Sequence, residues 1–203
     1  GTVAFIRLAI VVNAPGAKVV LRGLTLKGNG TGQSVSLTAA DLLSIEETTI
    51  DRWSTGLRIQ NPATSRVVVS SSVFLANGSA IEDSLSTVAA TVMIVESRFE
   101  RNATGLQVTR GRFSVRDSAL LAHTTVGVIA GPGEVRLHRT SFTGNLVGIK
   151  TLAAGVIGIA RSHITGNGTG VEVGAGAVQS HGTNVIRRNG TNIVGTLTPV
   201  PES

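Results

Sequence analysis

The chain has 203 residues, of which 25 are glycine, one is tryptophan and none is cysteine. Without cysteine there is no disulfide framework and no thiolate metal site. The net charge of +6, from 15 Arg and 3 Lys against 4 Asp and 8 Glu, admits an acidic polysaccharide, lipopolysaccharide or nucleic acid as a partner.

The longest apolar stretch, Val3 to Val12, is interrupted by Arg7. It falls far short of the roughly 20 residues that span a bilayer, so no transmembrane segment is expected. Its Val and Ile content reads as a first strand. From there a pattern of Asn-x-x-Gly plus an aliphatic residue recurs along the chain. Asn102…Gly105-Leu106, Asn145…Gly148-Ile149 and Asn167…Gly170-Val171 are clean copies. Asn29…Gly32, Trp53…Gly56-Leu57, Asn77…Ala80-Ile81 and Asn189…Asn192-Ile193 are worn ones. The marker falls at 32, 56, 80, 105, 127, 148, 170 and 192, a period that denotes one structural unit repeated about eight times.

Before each turn stands a large apolar residue: Leu26, Ile50, Phe74, Phe99, Leu120, Phe142, Ile164 and Ile186. Five residues earlier runs a second apolar column, from Leu21 and Ile45 to Ile159, which breaks at His181. Two residues earlier again runs a third, from Val19 and Leu43 to Ile157, which breaks at Gln179. Val178 lies one place away, so this coil reads as shifted by one residue or as the worn end of the array. The units read as short β-branched strands of period two, with no helical stripe. Stacked in parallel they form a β-helix over residues 1–195. Thr196 to Ser203, with Pro199 and Pro201, reads as a C-terminal tail.

A small, mostly hydroxylated column (Thr48, Ser72, Ser97, Ser118, Thr140, Ser162, Asn184) is expected to bond the backbone at a bend. The Asn column is expected to be left-handed and to bond along the axis. The Gly closing each turn is expected at positive φ.

On the stretches Ser97-Arg-Phe99…Asn102…Gly105-Leu106, Thr140-Ser-Phe142…Asn145…Gly148-Ile149 and Arg161-Ser-His-Ile164…Asn167…Gly170-Val171, the chain resembles the right-handed parallel β-helix repeat proteins of the pectin-lyase-like superfold. The resemblance covers nearly residues 10 to 195. It implies an all-β, single-stranded right-handed parallel β-helix of about eight to nine coils. Its opening and closing stretches look like exported bacterial β-helix proteins of unknown function, which implies an extracellular or cell-envelope location. Enzymes on this superfold carry Gly-His-Gly, Arg-Ile-Lys, paired-Asp or Asp-Pro-His-Glu motifs. None occurs here, and Gly148-Ile-Lys150 is a partial echo.

Three constellations carry chemistry. The position three before the large apolar residue holds Glu47, Ser71, Glu96, Asp117, Arg139 and Arg161. In register, Glu96 and Asp117 lie roughly 5 Å apart by the strand spacing. That separation suits a retaining carboxylate pair, or a Ca²⁺ site if more oxygens joined. Arg139 or Arg161 would then hold a uronate. The competing reading is an axial salt bridge between Asp117 and Arg139, with Glu96 reaching Arg98 or Arg116. Arg116, Arg136, His138, Arg139, Arg161 and His163 fall in consecutive coils and form a candidate polyanion patch. Trp53 would stack on a sugar if exposed, or cap a coil edge if not.

His123, His138, His163 and His181 show no metal-ligand spacing, so no metal or cofactor is expected outside the enzyme reading. No aromatic interleaving points to specific nucleic acid. The expected function is a non-catalytic structural or binding module for acidic polysaccharide. The alternatives are a polysaccharide lyase or glycoside hydrolase acting on a uronate polymer, and an adhesin or tailspike-like fragment that oligomerises through exposed coil ends.

Overall fold

The structure is a computed structural model that describes residues 5–6, 9–60, 66–84, 90–152 and 154–201. The described residues form no helix and build a parallel β-solenoid of about eight turns. No helix is long and apolar enough to cross a membrane.

Each coil contributes three strands. A five-residue strand such as Arg112–Arg116 lies in what we term the leading sheet. A three-residue strand such as Ala119–Leu121 lies in the narrow sheet, and a second five-residue strand such as Val126–Ala130 lies in the trailing sheet. At the N-terminal end the leading and trailing sheets are continuous. There Gln33–Glu46 is one long strand whose two halves pair with Thr55–Ile59 and Arg66–Ser70.

Two backbone bends shape every repeat. Glu47, Ser71, Glu96, Asp117, Arg139 and Arg161 take φ near +50° at the first. Arg52, Ala76, Arg101, Ala122, Gly144, Gly166 and Arg188 take positive φ at the second. The left-handed residue of the second bend thus precedes the Asn column instead of coinciding with it. Nor, Gly32 apart, are the marker glycines at positive φ. They lie within the trailing strands, where the next coil passes too close for a side chain. A Cβ on Gly148 would sit 2.6 Å from the Gly170 carbonyl oxygen.

The apolar columns face inward as continuous ladders. Ile50, Phe74, Phe99, Leu120, Phe142 and Ile164 are fully buried, and Phe74 and Phe99 stack with centroids 5.1 Å apart. Each such side chain contributes roughly 1.5–3 kcal/mol of hydrophobic stabilisation. The leading strand Ala177–His181 is shifted by one residue, as Val178 suggested. Val178 pairs with Ile157 and is buried, and Ser180 stands opposite Ile159. Residues 196–203 are not wholly a tail, because Thr198–Val200 adds to the leading sheet against Gln179–His181.

The Asn column forms a hydrogen-bonded ladder. Asn77 Oδ1 accepts from the Trp53 backbone N–H, and Asn102 Oδ1 accepts from Asn77, at 2.9 and 2.8 Å. Asn145 Oδ1 accepts from His123 N–H, and Asn167 Oδ1 from Asn145 N–H. Each Asn Nδ2 reaches back to a carbonyl of the preceding coil, as from Asn102 to Phe74 at 3.0 Å. The ladder closes within the last coil. There Asn189 donates its N–H and Nδ2 to Asn192 Oδ1, three residues on. Asn192→Gly is therefore expected to fray this coil by about 1 kcal/mol. Faster hydrogen exchange confined to residues 189–194 would show it, and unchanged exchange there would count against it.

The first coil is out of step with the sequence reading. Val35 pairs with Leu57 and Gln33 with Thr55, so Ser34 and not Gly32 occupies the marker position. The Ser34 hydroxyl is fully buried and has no partner among the described residues. Ser34→Ala keeps the Cβ and removes the orphan, so it is expected to raise stability by about 1 kcal/mol. A lowered urea midpoint would refute this.

Candidate functional site

The first bend turns the backbone left-handed at a single residue, and the side chain there projects to the surface. This is why charged residues collect in that column. Asp117 and Arg139, one coil apart, form a two-pronged ion pair. Arg139 Nε donates to Asp117 Oδ1 at 2.6 Å, and an outer guanidinium nitrogen donates to Oδ2 at 2.8 Å. The Arg139 hydrogen bonds hold the Asp117 carboxyl below its usual range, aided by the charges of Arg139, His138 and Arg116. Both carboxylate oxygens are engaged, which leaves Asp117 poorly placed to take up or pass on a proton. Glu96, in the preceding coil, is exposed and has no ion pair among the described residues. Arg98 turns instead to Glu100 at 2.8 Å.

The trailing sheet pairs charges in part. Lys150 meets Glu172 at 2.7 Å. Arg58 and Glu82 are lateral neighbours but form no ion pair, since Arg58 bonds the Ser84 hydroxyl and Glu82 accepts from Thr55.

The basic run divides between faces. Arg116, Arg136 and His138 point outward from the leading sheet. Arg139 and Arg161 sit on the bend, and His163 lies beyond it on the narrow sheet between Ser141 and Val185. On the leading sheet, Ser114, Arg136, Gly158 and Gln179 are successive neighbours, as are Arg116, His138 and Ala160. The small side chains leave a shallow depression of about 660 Å³, lined by Ser114, Arg116, Arg136, His138, Gly158 and Gln179 among others. A second depression of about 490 Å³ adjoins it through Ser114, Glu134 and Arg136, and ends on Met93, which is 45% exposed.

Within this groove Glu134 pairs with Arg136 at 2.8 Å and approaches Arg112 at 4.0 Å. Arg116 and Arg161 have no ion pair among the described residues. His138 Nδ1 is shielded from solvent and has no hydrogen-bond partner among the described residues. Burial lowers the His138 pKa, helped by the positive charges of Arg139, Arg161 and Arg116. Arg112 and Glu134 escaped the sequence reading. Their period-two placement with Ser114 and Arg136 was the signal that could have found them.

Trp53 is 6% exposed and cannot offer a ring face to a sugar. It occupies a rung of the Asn ladder, where its Nε1–H donates to the Leu26 carbonyl at 3.2 Å in place of an Asn Nδ2. His123 likewise takes a rung and is 1% exposed. No group of three or more His, Asp or Glu side chains among the described residues is placed to hold a metal ion. No protein-family model, curated protein or solved structure matches the chain.

Proposed function

We propose that this protein is a non-catalytic binding module, extracellular or envelope-associated, that holds an acidic polysaccharide along its leading sheet. One observation carries the reading: Arg116, without an ion pair among the described residues, lines a shallow trough floored by Ser114, Gly158 and Ala160, and Arg161 follows Ala160 at the bend beside it. Flat, small-residue flooring suits a polymer laid across several coils, and unpaired guanidinium groups suit its carboxylates or sulfates. The engagement of both Asp117 oxygens by Arg139 favours binding over hydrolysis or elimination.

Retention on immobilised heparin, pectate and a neutral glucan tests this. The protein is expected to hold to the two acidic polymers, to elute with salt and to pass through the glucan. An Arg116→Ala/Arg161→Ala double variant should elute at lower salt. Gly158→Phe should do the same without changing charge. A Cβ at Gly158 meets nothing closer than the Val135 carbonyl oxygen at 4.0 Å, so the ring would fill the trough and not strain the coil. Equal, salt-insensitive indifference to all three columns would remove the proposal.

A further inference from the structure

The first turn of the solenoid departs from the turn that follows it in three ways. The stretch from Leu26 to Val35 spans nine positions where the equivalent stretch from Ile50 to Leu57 spans seven, a two-residue insertion. Gly28 stands at the second bend yet lacks the positive φ of Arg52, Ala76 and Arg101. The left-handed residues are instead Gly30, at φ +93°, and Gly32, at φ +68°. Finally, the rung above this turn is Trp53 and not Asn. Its indole N–H reproduces the donor half of an Asn, but it has no oxygen to return. The Asn29 backbone N–H, in the ladder position of the first coil, therefore lacks the acceptor that the other rungs provide.

The turn is held by bonds to the second coil and by bonds of its own: Gly28 N–H donates to the Asp51 carbonyl at 2.8 Å, and Thr55 N–H to the Gly32 carbonyl at 3.1 Å. Gly30 N–H donates to the Arg52 carbonyl at 2.7 Å. Asn29 Oδ1 accepts both the N–H and the hydroxyl of Thr31, at 3.2 and 2.7 Å. Between the turn and Trp53 opens a cavity of about 600 Å³, lined by Lys27, Asn29, Thr31, Arg52 and Trp53. This volume lies in the range of small-ligand sites.

The lining favours negative charge. Lys27 has no ion pair among the described residues. Arg52 uses its Nε on Asp51 at 3.2 Å, and its outer guanidinium nitrogens make no hydrogen bond among the described residues. Asn29 Oδ1 is consumed within the loop, while the Asn29 N–H has no partner among the described residues. We infer that this cavity is a binding site for a small oxyanion, such as a carboxylate or sulfate group, held by Lys27 and Arg52 and backed by Trp53. The site is separate from the leading-sheet trough and does not depend on it.

Trp53 is the only tryptophan, so its fluorescence reports on this cavity alone. The full chain would be titrated with sodium sulfate, sodium galacturonate and neutral galactose, with ionic strength held constant by sodium chloride. A saturable change with either anion and none with galactose is expected. Sulfate alone would assign an inorganic anion, and galacturonate alone a sugar carboxylate. Lys27→Met, which keeps the aliphatic stem, and Arg52→Asn, which tolerates the left-handed backbone, should each weaken binding about tenfold. Arg161→Ala, on the other face, should leave the titration unchanged. Responses that follow chloride without saturating, or a Kd indifferent to both Lys27→Met and Arg52→Asn, would overturn the assignment. Heparin retention with no fluorescence response would sink this site and leave the trough standing.

Discussion

Asn145→Ala is expected to destabilise the solenoid by about 3 kcal/mol, far more than its single side chain would suggest. Asn145 is 2% exposed, and its amide works on three levels of the stack at once. Its Oδ1 accepts from the His123 backbone N–H at 2.9 Å, in the coil before. Its Nδ2 donates to the Leu120 carbonyl at 3.1 Å and to Asn167 Oδ1 at 2.8 Å. Alanine removes both functions and leaves two backbone groups without these partners where water cannot replace them. Each such orphan costs roughly 1–3 kcal/mol. The comparison that isolates the ladder is Asn29→Ala. Asn29 is exposed and bonds only Thr31, so the loss there should stay under about 0.5 kcal/mol. Urea midpoints for the two variants decide the matter. An Asn145→Ala variant within about 0.5 kcal/mol of wild type would mean that the ladder is incidental to stability.

The interior of this fold was legible because identical demands repeat. Leu26, Ile50, Phe74 and Phe99 occupy one column since each must fill the same corner of the coil, and period alone reveals that. The shifted last coil was legible through Val178 for the same reason. The turns were harder to read. Gly32 closes an Asn-x-x-Gly match by coincidence inside a turn two residues longer than the next, and Ser34 fills the true marker position. Nothing in the residue type betrays this, because that position demands smallness and not glycine itself. Ala80 already satisfies it elsewhere.

The candidate sites show the same division. The Asp117–Arg139 pair follows from stacking register and could be read in advance. The burial of Trp53 could not, because an indole at a turn is compatible with exposure until its Nε1–H is seen to donate to Leu26. His163 was grouped with Arg161 by proximity in sequence, but the left-handed bend at Arg161 turns the chain onto another face. The choice between the exposed and the capping Trp53, and the grouping of His163, both turn on corners, where chain neighbours cease to be surface neighbours.

His123 makes the stability of the solenoid depend on mild acid, and the sign follows from its place in the ladder. The Asn102 N–H and the Asn102 carbonyl oxygen both lie 3.2 Å from His123 Nδ1, which accepts from the one or donates to the other according to the tautomer; the ring's other nitrogen is Nε2. That Nε2 is buried and has no partner among the described residues. No charged or titratable group figures among the influences on its pKa. Burial depresses it from 6.5 to about 4, opposed by the hydrogen bond that a protonated Nδ1 donates to the Asn102 carbonyl oxygen. The unfolded chain therefore takes up a proton as pH falls through about 6.5, and the folded chain resists until about 4. Stability conferred by the neutral ring is complete above the unfolded value and is lost as pH falls across this window. The loss reaches about 2 kcal/mol near pH 5 and about 3 kcal/mol below pH 4. His138 adds a smaller change of the same sign, since burial also lowers its pKa. His123→Asn supplies an uncharged rung with both donor and acceptor, so it should flatten the stability profile between pH 6.5 and 4. His138→Asn should leave most of the slope intact. Urea unfolding of the three proteins across that range provides the measurement. A slope that survives His123→Asn undiminished would place the acid sensitivity outside the ladder.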